Sequence, residues 1–125
     1  MDQGCEWIVD AYGCEPARLR DAERLARVCS QVVAALGLTV AAPPQWHRFP
    51  APGGITGLIL LSESHLACHT FPETGWASFN VYCCRPVADW PWEAELTHEL
   101  VATSVTVTKI GRGPGTPKSR ARRSR

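Results

Sequence analysis

The sequence predicts an α+β fold, a two-layer sandwich in which helices cover one face of a mainly antiparallel β-sheet. Short runs of β-forming residues recur along the chain between glycines, prolines and polar turns. Another segment repeats its apolar residues at helical spacing, and a second helix is predicted towards the C-terminus. The resulting order, β-α-β-β-β-β-α-β, places several strands in succession, which favours antiparallel pairing with the helices on one side.

The N-terminal part contains the first strand and the longer helix. Residues 5–12 are rich in β-formers and have a glycine on either side, which predicts a strand. Residues 21–36 carry apolar side chains at helical spacing. Asp21 is the candidate N-cap of this helix, and Gly37 lies just past its end.

The middle of the chain is predicted to be extended. Residues 38–40 and 45–49 can each form a short strand, but the prolines at 43 and 44 separate them. Residues 55–61 form a near-continuous apolar run, which is typical of a strand buried on both faces or of a central strand.

The C-terminal part is predicted to contain an antiparallel hairpin, a second helix and a last strand. These elements span residues 65–70, 76–84, 92–102 and 104–110. The turn Phe71–Gly75 joins the two hairpin strands, and Gly111 is expected to end the last strand.

Length and composition indicate one ordinary globular domain, which we place at residues 1–111. The chain has 125 residues, of which 45% are hydrophobic and 20% charged, so disordered, collagen-like and coiled-coil classes are excluded. No run approaches the roughly 18 apolar residues of a membrane span, and the N-terminus lacks the pattern of a secretory signal. We therefore expect a cytoplasmic protein with no membrane partner.

Basic residues are concentrated at the C-terminal end. Arg112 and residues 118–125 hold six of the thirteen Lys and Arg residues, which leaves residues 1–111 with a net charge of −5. The terminal segment follows a Gly/Pro-rich stretch and has no interleaved aromatics. We expect residues 112–125 to be a basic, disordered tail and expect no nucleic-acid partner.

The six cysteines are expected to be reduced thiols. A chain without a secretion signal seldom carries a disulfide framework. No Cys-x-x-Cys pair exists, which excludes a thioredoxin-type motif and a standard zinc ribbon.

One segment concentrates a hydroxyl, imidazoles, carboxylates and thiols. Residues 62–73 read Ser-Glu-Ser-His-Leu-Ala-Cys-His-Thr-Phe-Pro-Glu, and residues 80–84 read Asn-Val-Tyr-Cys-Cys. The hydroxyl of Ser64 is a poor nucleophile unless a base and a polarised acceptor lie beside it. Hairpin pairing is expected to bring Ser64, His69 and Cys84 to one end of the sheet.

This segment resembles the signature of the small prokaryotic S-adenosylmethionine decarboxylase proenzymes, Glu-Ser-His followed by His-Thr-Trp-Pro-Glu. The resemblance covers roughly residues 5 to 111. Further matching stretches are Tyr12-Gly13-Cys14, His47-Arg48-Phe49 and Gly54-Ile55-Thr56-Gly57. Because serine, histidine and cysteine keep the spacing of the family together, the match is far more specific than a lone short motif.

The resemblance implies that the chain processes itself. The hydroxyl of Ser64 would attack the carbonyl of Glu63, the resulting ester would eliminate, and Ser64 would become an N-terminal pyruvoyl group. The chain would then consist of two pieces, residues 1–63 and 64–125. The pyruvoyl group is the implied covalent cofactor, which forms a Schiff base with the substrate amine and accepts the electrons released as carbon dioxide leaves.

The resemblance also assigns the proton transfers. It implies that His69 handles the proton during elimination, which suits an imidazole. Thr56 stands where the family has an assisting hydroxyl, eight residues before the serine. Cys84 matches the general acid that reprotonates the α-carbon; an ordinary thiol, with a pKa of about 8.5, is mostly protonated at neutral pH. Cys83 is expected to point to the opposite face.

The implied reaction is decarboxylation of S-adenosylmethionine, which makes the aminopropyl donor for spermidine synthesis. The residues that the resemblance places around the adenosyl group are Phe49, Leu66, Phe71 and Glu73. Aromatic faces would sandwich the base, and the carboxylate would hold the ribose hydroxyls.

Three departures from the family pattern leave another substrate open. Phe71 replaces the usual Trp, Asn80 stands where Asp is common, and the loop over residues 50–54 is one residue longer. The alternative is a relative with the same pyruvoyl chemistry that decarboxylates ornithine or arginine.

A second alternative is a non-catalytic zinc module. Its ligands would be His65, Cys68, His69 and either Cys83 or Cys84, which are suitable for zinc. Adjacent residues of a strand face opposite sides, however, so Cys68 and His69 are poorly placed to share one ion. We therefore expect no metal.

A sheet covered by helices on one face leaves its other face to be buried. Small members of the family pair protomers sheet to sheet, so the resemblance implies a homodimer or a larger oligomer.

Overall fold

The computed structural model describes residues 4–114 and the backbone of residues 121–124. Within these ranges, one antiparallel sheet of seven strands carries three helices. The strands are β1 (Gly4–Tyr12), β2 (Gln45–Arg48), β3 (Ile55–Leu60), β4 (Ser64–Phe71), β5 (Trp76–Cys83), β6 (Ser104–Arg112) and β7 (Ala121–Ser124). The helices are α1 (Pro16–Leu19), α2 (Ala22–Ala35) and α3 (Trp92–Leu100).

The order of strands across the sheet is β2-β3-β4-β5-β1-β6-β7, and every neighbouring pair is antiparallel. The predicted α+β sandwich is confirmed. The two hairpins β3–β4 and β4–β5 place β4 between its sequence neighbours, and β1 lies between β5 and β6. Strand β4, which carries most of the candidate site, is therefore held on both sides.

The core lies between one face of the sheet and the helices. Alternate residues of β1, including Trp7 and Val9, are buried together with Leu25, Val28 and Val32 of α2. Strand periodicity of two and helix periodicity near 3.6 produce these matching apolar faces. The opposite face of the sheet, which we call the open face, has no helix over it among the described residues.

Helix boundaries follow local chemistry. The side chain of Asp21 accepts a hydrogen bond from the backbone N–H of Arg24 at 3.1 Å, so Asp21 is the N-cap of α2, as predicted. Pro16 at the first turn begins α1, a short helix between the predicted first strand and the longer helix that the sequence analysis did not predict. Helix α3 ends at Leu100 because Val101 adopts a left-handed conformation, with φ 56°, and this stops the helix earlier than predicted.

Strand β3 lies inside the sheet, between β2 and β4, which agrees with one of its two predicted placements, but its apolar run is not buried on both faces. Ile55 and Ile59 are buried, but Leu58 and Leu60 lie on the open face and are exposed. The apolar run is therefore buried on one face of this chain and not on both.

The last strand and the tail also differ from prediction. Gly111 does not end β6, because Cys5 of β1 pairs with Gly111 and extends the ladder to Arg112. Residues 121–124, expected within a disordered tail, form β7 against Val107–Ile110. This pairing supplies partners for backbone groups that β6 would otherwise present as a sheet edge. The remainder of the predicted tail, residues 115–120 and 125, lies outside the described residues.

Candidate active site

The Glu63–Ser64 peptide lies in the tight turn between β3 and β4. The backbone N–H of Leu61 donates to the carbonyl of Ser64 at 3.0 Å, which closes a loop of Ser62 and Glu63. The carbonyl oxygen of Glu63 accepts a hydrogen bond from the backbone N–H of Cys84 at 3.1 Å. The carbonyl that the expected attack requires is therefore polarised by a fixed donor.

Ser64 and Cys84 share a cavity of about 40 Å³, which we call the small cavity. Its other lining residues are Leu38, Thr39, Ser62, Glu63 and Arg85. A cavity of this size accommodates about one water molecule, so the uncut chain has room there for a hydroxyl to rotate but not for a nucleotide-sized substrate.

Only one of the two adjacent thiols is open to reaction. Cys83 is fully buried opposite Cys5 of β1, and this burial raises the pKa of the Cys83 thiol to about 12. Cys84 is exposed. A hydrogen bond between its thiol and the Tyr82 hydroxyl raises the pKa of Tyr82. The general-acid role expected of Cys84 thus falls on the accessible sulfur.

Thr56 and His69 face each other across β3 and β4. They are register partners, and Oγ1 of Thr56 lies 3.1 Å from Nδ1 of His69. The hydrogen bond fixes the imidazole plane, which leaves Nε2 as the nitrogen available for proton transfer.

A second cavity, of about 520 Å³, adjoins this pair, and we call it the large cavity. Its walls include Phe49, Phe71 and Glu73, three of the residues expected around an adenosyl group. The volume lies in the range of small-molecule sites. The structure thus brings Thr56, His69 and three predicted binding residues together.

The serine and the histidine are not brought together within one chain. Ser64 begins β4 and His69 lies five residues along the same straight strand, which is about 17 Å at the usual rise per residue. The expectation that Ser64, His69 and Cys84 meet at one end of the sheet is therefore wrong for a single protomer. Long pairing with β3 and β5 keeps this segment extended, so the two side chains lie near opposite ends of β4.

Leu66 is not part of the large cavity. Its side chain is fully buried in the core, on the side of β4 opposite that of His65. The structure thus separates it from the other three residues that the resemblance placed around the adenosyl group.

Asn80 belongs to a polar network on the open face. Its Nδ2 donates to Oε2 of Glu6 at 2.7 Å, and its Oδ1 lies 3.2 Å from Nε2 of His65. Arg112 pairs with the same Glu6 carboxylate. Because Asn80 does not line the large cavity, the replacement of the usual Asp affects this network rather than the predicted adenosyl contacts.

Sequence reasoning missed two residues beside these sites. Trp76 stacks on Phe71 with ring centroids 4.5 Å apart, and its Nε1 donates to Oδ1 of Asp10 at 2.9 Å. Arg85 lines the small cavity next to Glu63. A sequence signal for Arg85 existed, because it is the only Lys or Arg between Arg48 and Lys109.

No group of three or more His, Cys, Asp or Glu side chains suited to a metal ion occurs among the described residues. Cys68 is fully buried, and its hydrogen bond with Cys29 raises the pKa of its thiol, whereas His69 is exposed. The geometry therefore gives no support to the zinc alternative. None of the helices in the described part of the chain has the length and apolar character of a membrane crossing.

Comparison with known proteins agrees with this arrangement. The profile of a family described as S-adenosylmethionine decarboxylase matches residues 5–113. An S-adenosylmethionine decarboxylase proenzyme of Shouchella clausii is 38% identical over 118 residues, which cover 94% of this chain and 90% of the relative. A proenzyme of the same name from Caldicellulosiruptor saccharolyticus is 34% identical and covers 85% of each chain.

The fold is shared with a solved structure. The crystal structure of the adenosylmethionine decarboxylase from Aquifex aeolicus matches with a TM-score of 0.71 at 25% identity, covering 95% of this chain and 98% of that one. None of these named relatives is an ornithine or arginine decarboxylase. With its sequence match over residues 5–113 and this shared fold, the chain belongs to the S-adenosylmethionine decarboxylase family of enzymes.

Proposed function

We propose that this chain cuts itself between Glu63 and Ser64 and then decarboxylates S-adenosylmethionine with the pyruvoyl group it has made. The observation that carries the proposal is the hydrogen bond from the Cys84 backbone to the Glu63 carbonyl, at the turn where the serine follows. When Oγ of Ser64 attacks that carbonyl carbon, negative charge develops on its oxygen. A backbone N–H already aimed there stabilises this charge without reorganising.

The cut then requires that a proton be removed from the α-carbon of Ser64. Elimination of the ester releases Glu63 as a new C-terminal carboxylate, and the α-nitrogen of Ser64 leaves as ammonia after water adds. His69, oriented by Thr56, is the base suited to this proton transfer. His69 lies about 17 Å along β4 from Ser64 of the same chain, so the histidine that acts on a given Ser64 has to belong to another chain.

We propose that a second copy of the chain supplies it. When two open faces pack together about a two-fold axis that runs across the strands, the start of β4 in one copy lies over the end of β4 in the other. Exposed apolar side chains, including those of Ile8, Leu58 and Leu60, lie on this face and would be buried. The dimer would hold two equivalent sites, each built from the small cavity of one copy and the large cavity of its partner.

The substrate is proposed to lie in the large cavity with its reactive end towards the small one. The half-exposed ring of Phe49 and the ring of Phe71 can sandwich an adenine, and Trp76 supports Phe71 from behind. The carboxylate of Glu73 can accept hydrogen bonds from the ribose hydroxyls. Ornithine and arginine contain no aromatic base, so this wall favours the adenosyl substrate over both.

The residues around Ser64 fit a pyruvoyl group. Such a group condenses with a substrate amine and accepts the electron pair released as carbon dioxide leaves. The exposed thiol of Cys84, in the same small cavity, is placed to return a proton to the α-carbon. The product is the aminopropyl donor used in spermidine synthesis, and a cytoplasmic location remains a prediction.

Intact mass and a denaturing gel test the proposal directly. Freshly purified protein should give two fragments, residues 1–63 and residues 64–125, the second lighter than a serine-started peptide by the mass of one ammonia molecule and blocked to Edman degradation. Ser64→Ala should stay folded and uncut. A parent chain that stays whole, with no carbonyl trapped by borohydride, would refute self-processing.

Assays of the cut protein with S-adenosylmethionine, ornithine and arginine decide the substrate. We expect carbon dioxide release from S-adenosylmethionine alone. Turnover of ornithine or arginine without turnover of S-adenosylmethionine would contradict the proposal while leaving self-processing intact.

A further inference from the structure

The Arg85 side chain connects the pieces of chain that surround the Glu63–Ser64 bond. Its Nε lies 3.6 Å from Oε1 of Glu63, and its Nη2 donates to the carbonyl of Gly37 at 2.8 Å. Arg85 directly follows Cys84, whose N–H is bonded to the Glu63 carbonyl. One guanidinium therefore contacts the residue before the cut and the loop behind it, from a backbone position next to the proposed oxyanion donor.

The loop that Arg85 reaches is itself bound to the turn. The backbone N–H of Ser62 donates to the carbonyl of Thr39 at 2.8 Å, and that of Ala41 donates to the carbonyl of Leu60 at 2.9 Å. Val40 and Leu61 form an isolated bridge. Residues 37–41 thus brace one side of the turn, and Arg85 links that brace to the opposite side.

We propose that Arg85 is a positioning residue for self-cleavage, which holds the Glu63 carbonyl against the Cys84 N–H by gripping the Glu63 carboxylate and the Gly37 carbonyl. This inference rests on the proposed self-processing. Attack within a chain is fast only when nucleophile and carbonyl keep their near-attack geometry, and small displacements are costly. Arg85 acts on the rate of cutting through the position of the carbonyl and does not itself touch the reacting atoms.

The contacts of Arg85 have little weight in overall stability. Half of its side chain and most of that of Glu63 are exposed, and such ion pairs contribute little to folding. Removal of the guanidinium should therefore leave the fold intact. A change in cutting rate would then report on geometry and not on unfolding.

The test compares cutting rates of freshly synthesised chains, followed on denaturing gels. We expect Arg85→Ala to cut about tenfold more slowly than the parent and Arg85→Lys to recover part of the rate, as the loss of an oriented contact predicts. The matched control is Arg18→Ala. Arg18 also pairs with a glutamate, since its Nε lies 3.5 Å from Oε1 of Glu15, and its Nη1 donates to the backbone carbonyl of Glu99 at 3.1 Å. Unlike Arg85, it lies away from the turn.

A double-mutant cycle separates positioning from a general structural effect. In a Glu63→Gln chain, the further change Arg85→Ala should slow cutting much less than it does in the parent, because the gripped carboxylate is already gone. Thermal midpoints measured in uncut Ser64→Ala chains should be equal with and without the further change Arg85→Ala. A parent-like cutting rate in Arg85→Ala, equal slowing in Arg18→Ala, or fully additive effects with Glu63→Gln would overturn the role of Arg85. A parent chain that never cuts would instead overturn the proposed function, so the two failures are distinguishable.

Discussion

Two uncut variants should restore each other when they share a dimer. Ser64→Ala removes the nucleophile, and His69→Ala removes the proposed base, so neither should cut alone. About 17 Å of strand separates Ser64 and His69 in one copy, so in the proposed dimer each site combines Ser64 of one copy with His69 of the other. A mixed dimer therefore contains one complete site, formed by the serine of the His69→Ala chain and the histidine of the Ser64→Ala chain.

The expected yield follows from the symmetry of the dimer. Random assembly of equal amounts makes about half of the dimers mixed, so about half of the His69→Ala chains should be cut and none of the Ser64→Ala chains. The two variants are co-expressed with tags of different mass, and the fragments are read on a denaturing gel. Purified, separately expressed variants mixed without exchange provide the baseline.

Two variants that are both changed in the small cavity provide the matched control. Ser64 and Cys84 line the same small cavity, so a mixture of Ser64→Ala and Cys84→Ala should never assemble a site with both residues and should not regain decarboxylation. Absence of cutting in the co-expressed Ser64→Ala and His69→Ala pair, while size exclusion and tag pull-down show mixed dimers, would refute the shared site. Cutting in monomeric protein would refute it equally.

Three further predictions address the thiols and the packing of β2. Cys84→Ala should still cut but lose decarboxylation, because the backbone N–H remains and the proton donor is gone; full turnover would remove Cys84 from the mechanism. Burial raises the pKa of Cys83 to about 12, so the stability gained by keeping this thiol protonated is fully present below the pKa of the unfolded thiol and is lost as pH rises towards 12. Between pH 8 and pH 10, the free energy of unfolding of the reduced Ser64→Ala chain, measured in urea, should fall by about 1 to 2 kcal/mol more than that of the same chain with the additional change Cys83→Ala. Equal decreases in the two chains would contradict this. Gly57→Ala would place a Cβ against the ring of Trp46. About 1 to 3 kcal/mol of stability should therefore be lost, and KM should rise as β2 shifts. An unchanged urea midpoint would contradict this packing.

Local chemistry made much of the fold predictable. Short stretches of sequence are enough to predict the cap at Asp21, the helix α2 from its apolar spacing, and the turn between β4 and β5. The structure confirms each of these predictions. Hairpin pairing also predicted part of the candidate site. Glu63, Ser64 and Cys84 do meet, because the start of β4 pairs with the end of β5.

Features that depend on long-range register were not predictable in the same way. The stacking of Trp76 on Phe71 follows from their being register partners, whereas the prediction placed Phe71 in the turn and not at the end of β4. The extension of β6 past Gly111 depends on pairing with Cys5, which lies at the other end of the domain sequence. Such contacts are set by whole strands, so single residues gave no signal for them.

The proposed dimer would account for the two main differences between the sequence-based predictions and the structure. The apolar run of β3 predicts burial on both faces, yet Leu58 and Leu60 are 49% and 57% exposed. The motif spacing predicts one assembled site, yet His69 lies far along β4 from Ser64. In a single chain, the leucines stay exposed on the open face and the histidine stays away from the serine. A second copy packed over that face would bury the leucines and also bring a histidine to each serine. About half of each leucine side chain is still exposed, and burying that half is worth about 0.8 to 1.5 kcal/mol per leucine. The association that completes the proposed site would therefore also be driven by the surface that the lone chain exposes.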